Sequence, residues 1–425
     1  MSIIPMIGQA IIWIIMFFAI VGVIGAIRNP NEGIGKEFML AFHQLGIIFI
    51  PFAGILASIP FIEKIVVFIF SPVFELIGAD VAVAGAFFVP PDMGGYQLYE
   101  ALSSSTETWM IALFTGFAVG PIAAYSVPLG FSILDVNDRK YFGLGIMAGI
   151  LSCPFCIFIC TVLLKITDTP VRGIVSNVSP SDIDLTMTWK LILINMFPII
   201  VFCLILAILL RCFMTIMVKL FLIFGKALDI AIKIVLVIAI VEYFTGAFEM
   251  IFGSYGFDPI IADEEDQFRA LENSGYVATM LAGAYPMIYV IKKYAGNALQ
   301  KAGKKLGFGT WGAIGIFASW AEALAMFGIM NKMTPSDKVK VCAFSVCGSW
   351  VLGAHMTYCA NFQPNLLAIV MIGKFLAGCL AVLFAHWLAM PMTKKFEKED
   401  LEAGRISKDV YTDDGASLKD TELEI

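Results

Sequence analysis

Residues 81–102 read VAVAGAFFVPPDMGGYQLYEAL. The first half is apolar enough to lie in lipid, and then Pro90-Pro91-Asp92-Met93-Gly94-Gly95 interrupts it. Two adjacent prolines remove two backbone donors, and Gly94 and Gly95 permit backbone angles that other residues resist, so a helix must break here. Within a bilayer, freed backbone groups and a carboxylate persist only where they pack in protein or face a wet cavity. The stretch therefore predicts a discontinuous helix at a transport site.

The rest of the chain supports the lipid setting. Of 425 residues, 59% are hydrophobic and only 15% charged, where water-soluble domains carry charge on about 25% of positions. A soluble fold is excluded, and the class is an all-α polytopic membrane protein of about ten transmembrane helices, some of them interrupted. The formal net charge of −6 says little about partners, and no basic cluster suggests nucleic acid. Nine cysteines sit mostly in apolar segments rather than paired in loops, so reduced thiols are expected. Met1 to Ile27 lacks a cationic start and a cleavage site, and reads as a retained first helix. No catalytic, phosphate-cradling or cofactor motif is present, so neither enzyme activity nor a cofactor or metal is expected. A homo-oligomer is allowed but not indicated.

Outward from the break, the chain divides into four parts. N-terminal spans (1–60) precede a first repeat (61–210) containing the broken helix 81–102. An amphipathic helix and a second repeat (211–392) follow, with a second broken helix expected over 274–292 at Gly283-Ala284-Tyr285-Pro286. A charged segment (393–425) reads as a disordered cytoplasmic tail. The repeat is suggested by Val67-x-x-Phe70-x-x-x-Phe74-Glu75-x-Ile77, which recurs as Val241-x-x-Phe244-x-x-x-Phe248-Glu249-x-Ile251. Each copy leads through an interrupted span and a Gly-rich segment to Phe-x-Ile and a charged turn, an order that places a substrate site at the repeat interface.

Lys219, Lys226 and Lys233 are spaced by seven, drifting about 20° per step on a helix, so this piece could lie on the membrane surface. The glycines and prolines of Trp109–Leu134 suggest a hairpin. With basic turns inside, the Gly307–Met330 segment must enter and leave on one face, as a re-entrant hairpin.

Asp92 is the first candidate ligand for a cation, with Tyr96 and Glu100 at helical spacing beyond it; the alternative is a helix cap. Glu322, within an apolar segment, needs a partner or a purpose, either an ammonium, proton or sodium ion or a hydrogen bond to backbone. Tyr285 could offer its ring to a cation, while Trp350 reads as packing. His355 and Asn361 are polar candidates near a span end, and Glu75 and Glu249 read as structural. Cys153-Pro154-Phe155-Cys156 has redox spacing, but no basic residue near it in sequence would activate a thiol.

In order, Asp92-Met93-Gly94-Gly95, Gly283-Ala284-Tyr285-Pro286-Met287, Met326-Phe327-Gly328-Ile329-Met330, Cys342-Ala343-Phe344 and His355 resemble motifs of the EutH family of bacterial ethanolamine permeases. The likeness extends from about Pro72 to Leu376. It implies a multi-pass protein of the bacterial cell membrane that moves ethanolamine for catabolism. On that resemblance, Asp92 or Glu322 faces the ammonium, Tyr96 and Tyr285 enclose the carbon chain, and His355 or Asn361 meets the hydroxyl. An ion-coupled permease for another small polar metabolite, or more remotely a membrane thiol oxidoreductase, remains the alternative.

Overall fold

The computed structural model describes residues 3–406 and 408–411. Among them all regular elements are helical, apart from one isolated bridge between Val171 and Ile183 in the polar loop. Helices α1 (Ile3–Arg28), α2 (Gly33–Ala57) and α3 (Ile59–Ile77) lead into a short hairpin of α4 (Ala82–Gly85) and α5 (Gly95–Leu102). Next come α6 (Thr106–Ala118) and α7 (Val127–Ile133), α8 (Arg139–Ile150) and α9 (Cys153–Thr167), and then α10 (Trp189–Cys212). After α11 (Met214–Thr245), α12 (Ala247–Phe252) and α13 (Ala270–Lys305), a second hairpin is formed by α14 (Thr310–Ala321) and α15 (Ala323–Gly328). The chain closes with α16 (Pro335–Gly348), α17 (Ala354–Phe362), α18 (Leu367–Phe384) and α19 (Met390–Glu402). Among the described residues, seven helical runs are long and apolar enough to cross a membrane. The sequence count of about ten included pieces that the structure turns into short hairpin arms and half-helices.

The break at residues 90–94 forms as the chemistry requires. Pro90 is extended (φ −76°, ψ 157°), as the residue before a proline prefers, and Pro91–Met93 makes a single 3-10 turn. Gly94 is left-handed at φ +91° before Gly95 opens α5. The chain then returns to where it entered: Ser104 donates to Asp80 Oδ2 through its backbone N–H (2.8 Å) and its hydroxyl (2.6 Å). The second hairpin closes likewise, with Lys332 over the Trp311 ring at 4.5 Å and the Gly309 N–H donating to Asp337 Oδ2 at 2.9 Å. This is the re-entrant arrangement that its glycines suggested.

The hairpins enter from opposite ends of the bundle. Ser104 lies just before the start of α6, whereas Asp138, beyond the end of α7, pairs with Lys338 at 2.5 Å beside the base of the second hairpin. The run α6–α7 between these ends is one helical course through a π turn at Ile122–Ser126, not the expected hairpin. Its halves pack on different neighbours, α6 on α9 and α7 on α11.

Four sequence expectations are corrected here. Helix α13 runs unbroken through Gly283–Pro286. A lone proline forfeits one helix hydrogen bond, which tight packing can offset. Pro286 seats against Gly22 of α1, and a Cβ at Gly283 would collide with the Ile15 carbonyl oxygen, so these residues serve close helix contact. Lys219, Lys226 and Lys233 lie on a continuous 32-residue helix that packs along α2. Its start meets Gly143 through Met214, its middle meets Pro128 at Gly225, and Ile232 packs on Gly54, so it runs along the bundle rather than beside it. A seven-residue spacing fits both arrangements, and only packing distinguishes them. The two stretches of the sequence repeat also fold differently, since residues 67–77 lie within α3 whereas Gly246 (φ +62°) breaks the second copy. Finally, the tail is ordered at least through α19, where Asp400 accepts from Lys140 (2.6 Å), Tyr141 (2.6 Å) and Arg405 (2.8 Å). Residues 412–425 lie outside the described residues.

Candidate substrate site

The two hairpin tips meet at one cavity of about 130 Å³, lined among others by Asp92, Tyr125, Tyr285, Glu322, Trp350 and His355. Four interruptions in the helices supply its polar walls, and α2 and α13 complete it. Asp92 comes from the first tip and Glu322 from the second, where it is extended (φ −155°, ψ 133°) between α14 and α15. Pro121 and Tyr125 come from the interrupted course of α6–α7. Trp350 comes from the irregular segment between α16 and α17, whose first turn holds His355. Unpaired peptide groups are expensive in lipid, so breaks of this kind persist by pairing with one another. Here the Trp350 N–H donates to the Ser319 carbonyl (3.0 Å) and the Leu352 N–H to the Trp320 carbonyl (2.9 Å), stitching the second tip to the α16–α17 break. Trp350 is left-handed (φ +58°), a conformation that costs a non-glycine residue about 1–3 kcal/mol and persists because these bonds over-determine it.

The polar groups are held unequally. Glu322 Oε1 accepts from Trp350 Nε1 at 3.0 Å and weakly caps α15 through the Leu324 N–H at 3.5 Å. Asp92 caps nothing: the N-cap of α5 is Gly94, with no side-chain bond. Its nearest ionisable side chain is His355, with Nε2 at 3.8 Å from Oδ2, longer than a hydrogen bond. The His355 ring lies near Phe117 (5.0 Å) and Trp350 (5.2 Å), and its buried Nδ1 has no hydrogen-bond partner among the described residues. Tyr125 meets Trp350 edge-on at 5.9 Å. Two carboxylates walled by aromatic rings suit a small organic cation, which ring faces also attract. A cavity of this size takes a molecule of a few non-hydrogen atoms, well below the ~300 Å³ of a drug-sized pocket.

Two sequence candidates lie elsewhere. Tyr96 is fully buried, stacked on Trp109 at 4.6 Å with its hydroxyl accepting from Gln363 Nε2 at 2.8 Å, so it packs the first hairpin against α6 and the end of α17. Asn361 donates to the carbonyls of Tyr276 (3.1 Å) and Thr357 (2.9 Å), joining α13 to α17. Helical spacing from Asp92 suggested Tyr96, but the left-handed Gly94 separates Asp92 from α5 and voids that spacing. Tyr285 does reach the cavity, from an intact helix. Trp350, read as packing, is the anchor of Glu322.

The sequence reading missed Gln44 and Tyr125, although a polar residue in an apolar span and an aromatic just after Gly120-Pro121 were both visible signals. It also missed Lys374, a cation inside an apolar span, which is fully buried and donates to the Phe117 carbonyl at 2.9 Å. The same buried region holds Cys153, Cys156 and Cys347, with Cys153 and Cys347 sulfurs 3.7 Å apart. A basic residue therefore does stand near the Cys-x-x-Cys pair, contrary to expectation, because α18 brings it from more than 200 positions away in sequence. All three thiols are buried, which leaves a redox partner no access.

Re-entrant hairpins and interrupted helices meeting at a small charged cavity define a multi-pass membrane protein of the discontinuous-helix type. By sequence the chain belongs to the EutH family, whose description is "Ethanolamine utilisation protein, EutH", matched over residues 7–388. It is 29% identical over 418 residues to the "Probable ethanolamine permease EutH" of Escherichia coli (strain K12), covering 93% of this chain and 99% of that one. A Listeria monocytogenes protein of the same name is 28% identical, covering 93% and 98% of the two chains. The "Uncharacterized protein YxeR" of Bacillus subtilis (strain 168) is also 28% identical, over 92% and 98%. No solved structure matches the chain. The protein is accordingly a multi-pass bacterial membrane permease.

Proposed function

We propose that this permease moves ethanolamine, as its ammonium ion, across the bacterial cell membrane to feed catabolism. The observation that carries this reading is the pairing of an uncommitted carboxylate with a tethered one in a cavity sized for a few heavy atoms. Relatives named as probable ethanolamine permeases agree with it. In this reading Asp92 receives the ammonium, Glu322 adds negative potential, and the rings of Tyr285, Tyr125 and Trp350 enclose the carbon chain. His355, whose Nδ1 lacks a partner, serves the substrate hydroxyl. Hairpins entering from opposite faces are what an inverted duplication generates, and they support alternating access around a fixed central site.

Uptake of labelled ethanolamine into proteoliposomes tests the proposal. Saturable uptake, blocked by excess unlabelled ethanolamine and lost in the Asp92→Ala/Glu322→Ala protein, is expected. Undiminished uptake by that double variant would remove the cation-site assignment. Two carboxylates facing one monocation also favour a second reading, in which a proton or sodium ion binds with the solute. Dependence of the uptake rate on a sodium or pH gradient decides for or against it.

A further inference from the structure

A large cavity lies away from the substrate site, on the flank of the bundle. It measures about 590 Å³ and adjoins another of about 450 Å³, with Leu151, Leu204 and Leu388 lining both. Together they form a continuous apolar groove between α9, α10 and α18. Its walls are open outward: Leu204 is 47% exposed and Ile208 57%. On a helix bundle in a membrane, such a face is met by lipid rather than water.

One end of the groove differs from the rest. Arg211 at the end of α10 and Lys395 on α19 both line it, with Trp387, 65% exposed, beside them. Neither cation is paired with a carboxylate among the described residues. Their neighbours Lys140 and Arg405, by contrast, are both bound to Asp400. This end is also the one bearing Arg139, Lys140 and Lys338, the basic face of the protein. An exposed tryptophan beside the unpaired cations at the mouth, and an apolar trough running from them, match the parts of a phospholipid: interface, headgroup phosphate and acyl chain.

The geometry points to a specific site for an anionic phospholipid, with its phosphate between Arg211 and Lys395 and an acyl chain along Leu151, Leu204 and Leu388. The site is independent of which solute is carried. An anionic headgroup is favoured over a zwitterionic one because the two cations have no internal carboxylate to neutralise them, and a choline or ethanolamine ammonium would be repelled by both.

Native mass spectrometry of the full-length protein in detergent tests it, using phosphatidylglycerol and phosphatidylcholine of identical acyl chains as probes. The wild type is expected to retain one phosphatidylglycerol with a preference of about 25-fold, from roughly fivefold per cation. In the Arg211→Gln/Lys395→Gln protein that preference falls to near unity. Because both side chains are exposed, this variant should fold, as circular dichroism will show. Leu204→Trp, which fills the trough, is expected to lower retention of both lipids alike. Equal retention of the two lipids by the wild type, an unchanged preference in the double variant, or a dimer that covers Leu204 and excludes both lipids would each overturn the site.

Discussion

The two hairpin tips reach the same cavity from opposite ends, yet their carboxylates are held differently. Asp92 sits after a proline pair, before a left-handed glycine, with His355 Nε2 3.8 Å from its carboxylate, beyond hydrogen-bond reach. Glu322 needs neither proline nor glycine to break its helix; the extended residue is fixed by Trp350 and by the peptide bonds stitching Ser319 and Trp320 to the next break. One tip is broken by its own sequence and leaves its carboxylate without a side-chain hydrogen bond among the described residues. The other is broken by its partners and has its charge tied. On the proposed reading, the difference makes Asp92 the primary ligand and Glu322 a supporting one.

Substitutions at the tips sharpen or break that contrast. Asp92→Asn should produce the largest effect, raising the KM for ethanolamine uptake roughly 10- to 100-fold through loss of a charge-assisted contact of about 1.5–3 kcal/mol. Glu322→Gln keeps an acceptor for Trp350 Nε1 and removes only charge, so a smaller change, about three- to tenfold, is expected in the same assay. Should Glu322→Gln match Asp92→Asn, the tips are equivalent ligands and the contrast fails. Gly94→Ala forces a side chain into the left-handed region at a cost of about 1–2 kcal/mol, which a lowered thermal unfolding midpoint will report. Trp350→Phe leaves the wall but drops one hydrogen bond worth about 0.5–1.5 kcal/mol, predicting a change in uptake of about two- to tenfold. The smallest effect is reserved for Pro286→Ala. Because α13 is already continuous, this change should leave the uptake rate within about twofold, whereas a true break at Gly283–Pro286 would make it highly sensitive.

Much of this was legible in the residues. The proline pair with Gly94 encodes its own break, because missing donors and permitted angles are local properties. The Gly-rich segment around Glu322 was readable as re-entrant from the positions of its flanking lysines. Gly283–Pro286 has the same punctuation and was misleading, because whether a glycine bends a helix or admits a neighbour depends on what lies across from it, here Ile15 and a helix from the start of the chain. Tyr96 failed for a related reason: helical spacing counts only while the helix continues, and Gly94 ends it.

By itself, the sequence determined that the chain is helical and lies in a membrane, that it must break at Pro90–Gly94, and that carboxylates at Asp92 and Glu322 need an explanation. Those conclusions rest on transfer energies and backbone chemistry, which act residue by residue. Only the tertiary structure decided that the second break falls at Glu322, that Trp350 holds that carboxylate, and that Tyr285 and His355 complete the cavity while Tyr96 and Asn361 do not. It also placed Lys374 among buried thiols and left Arg211 and Lys395 unpaired with any carboxylate among the described residues, at the mouth of a groove. These are relations between segments tens to hundreds of residues apart, set by which surfaces pack together, and packing is a property of pairs that no single stretch of chain contains.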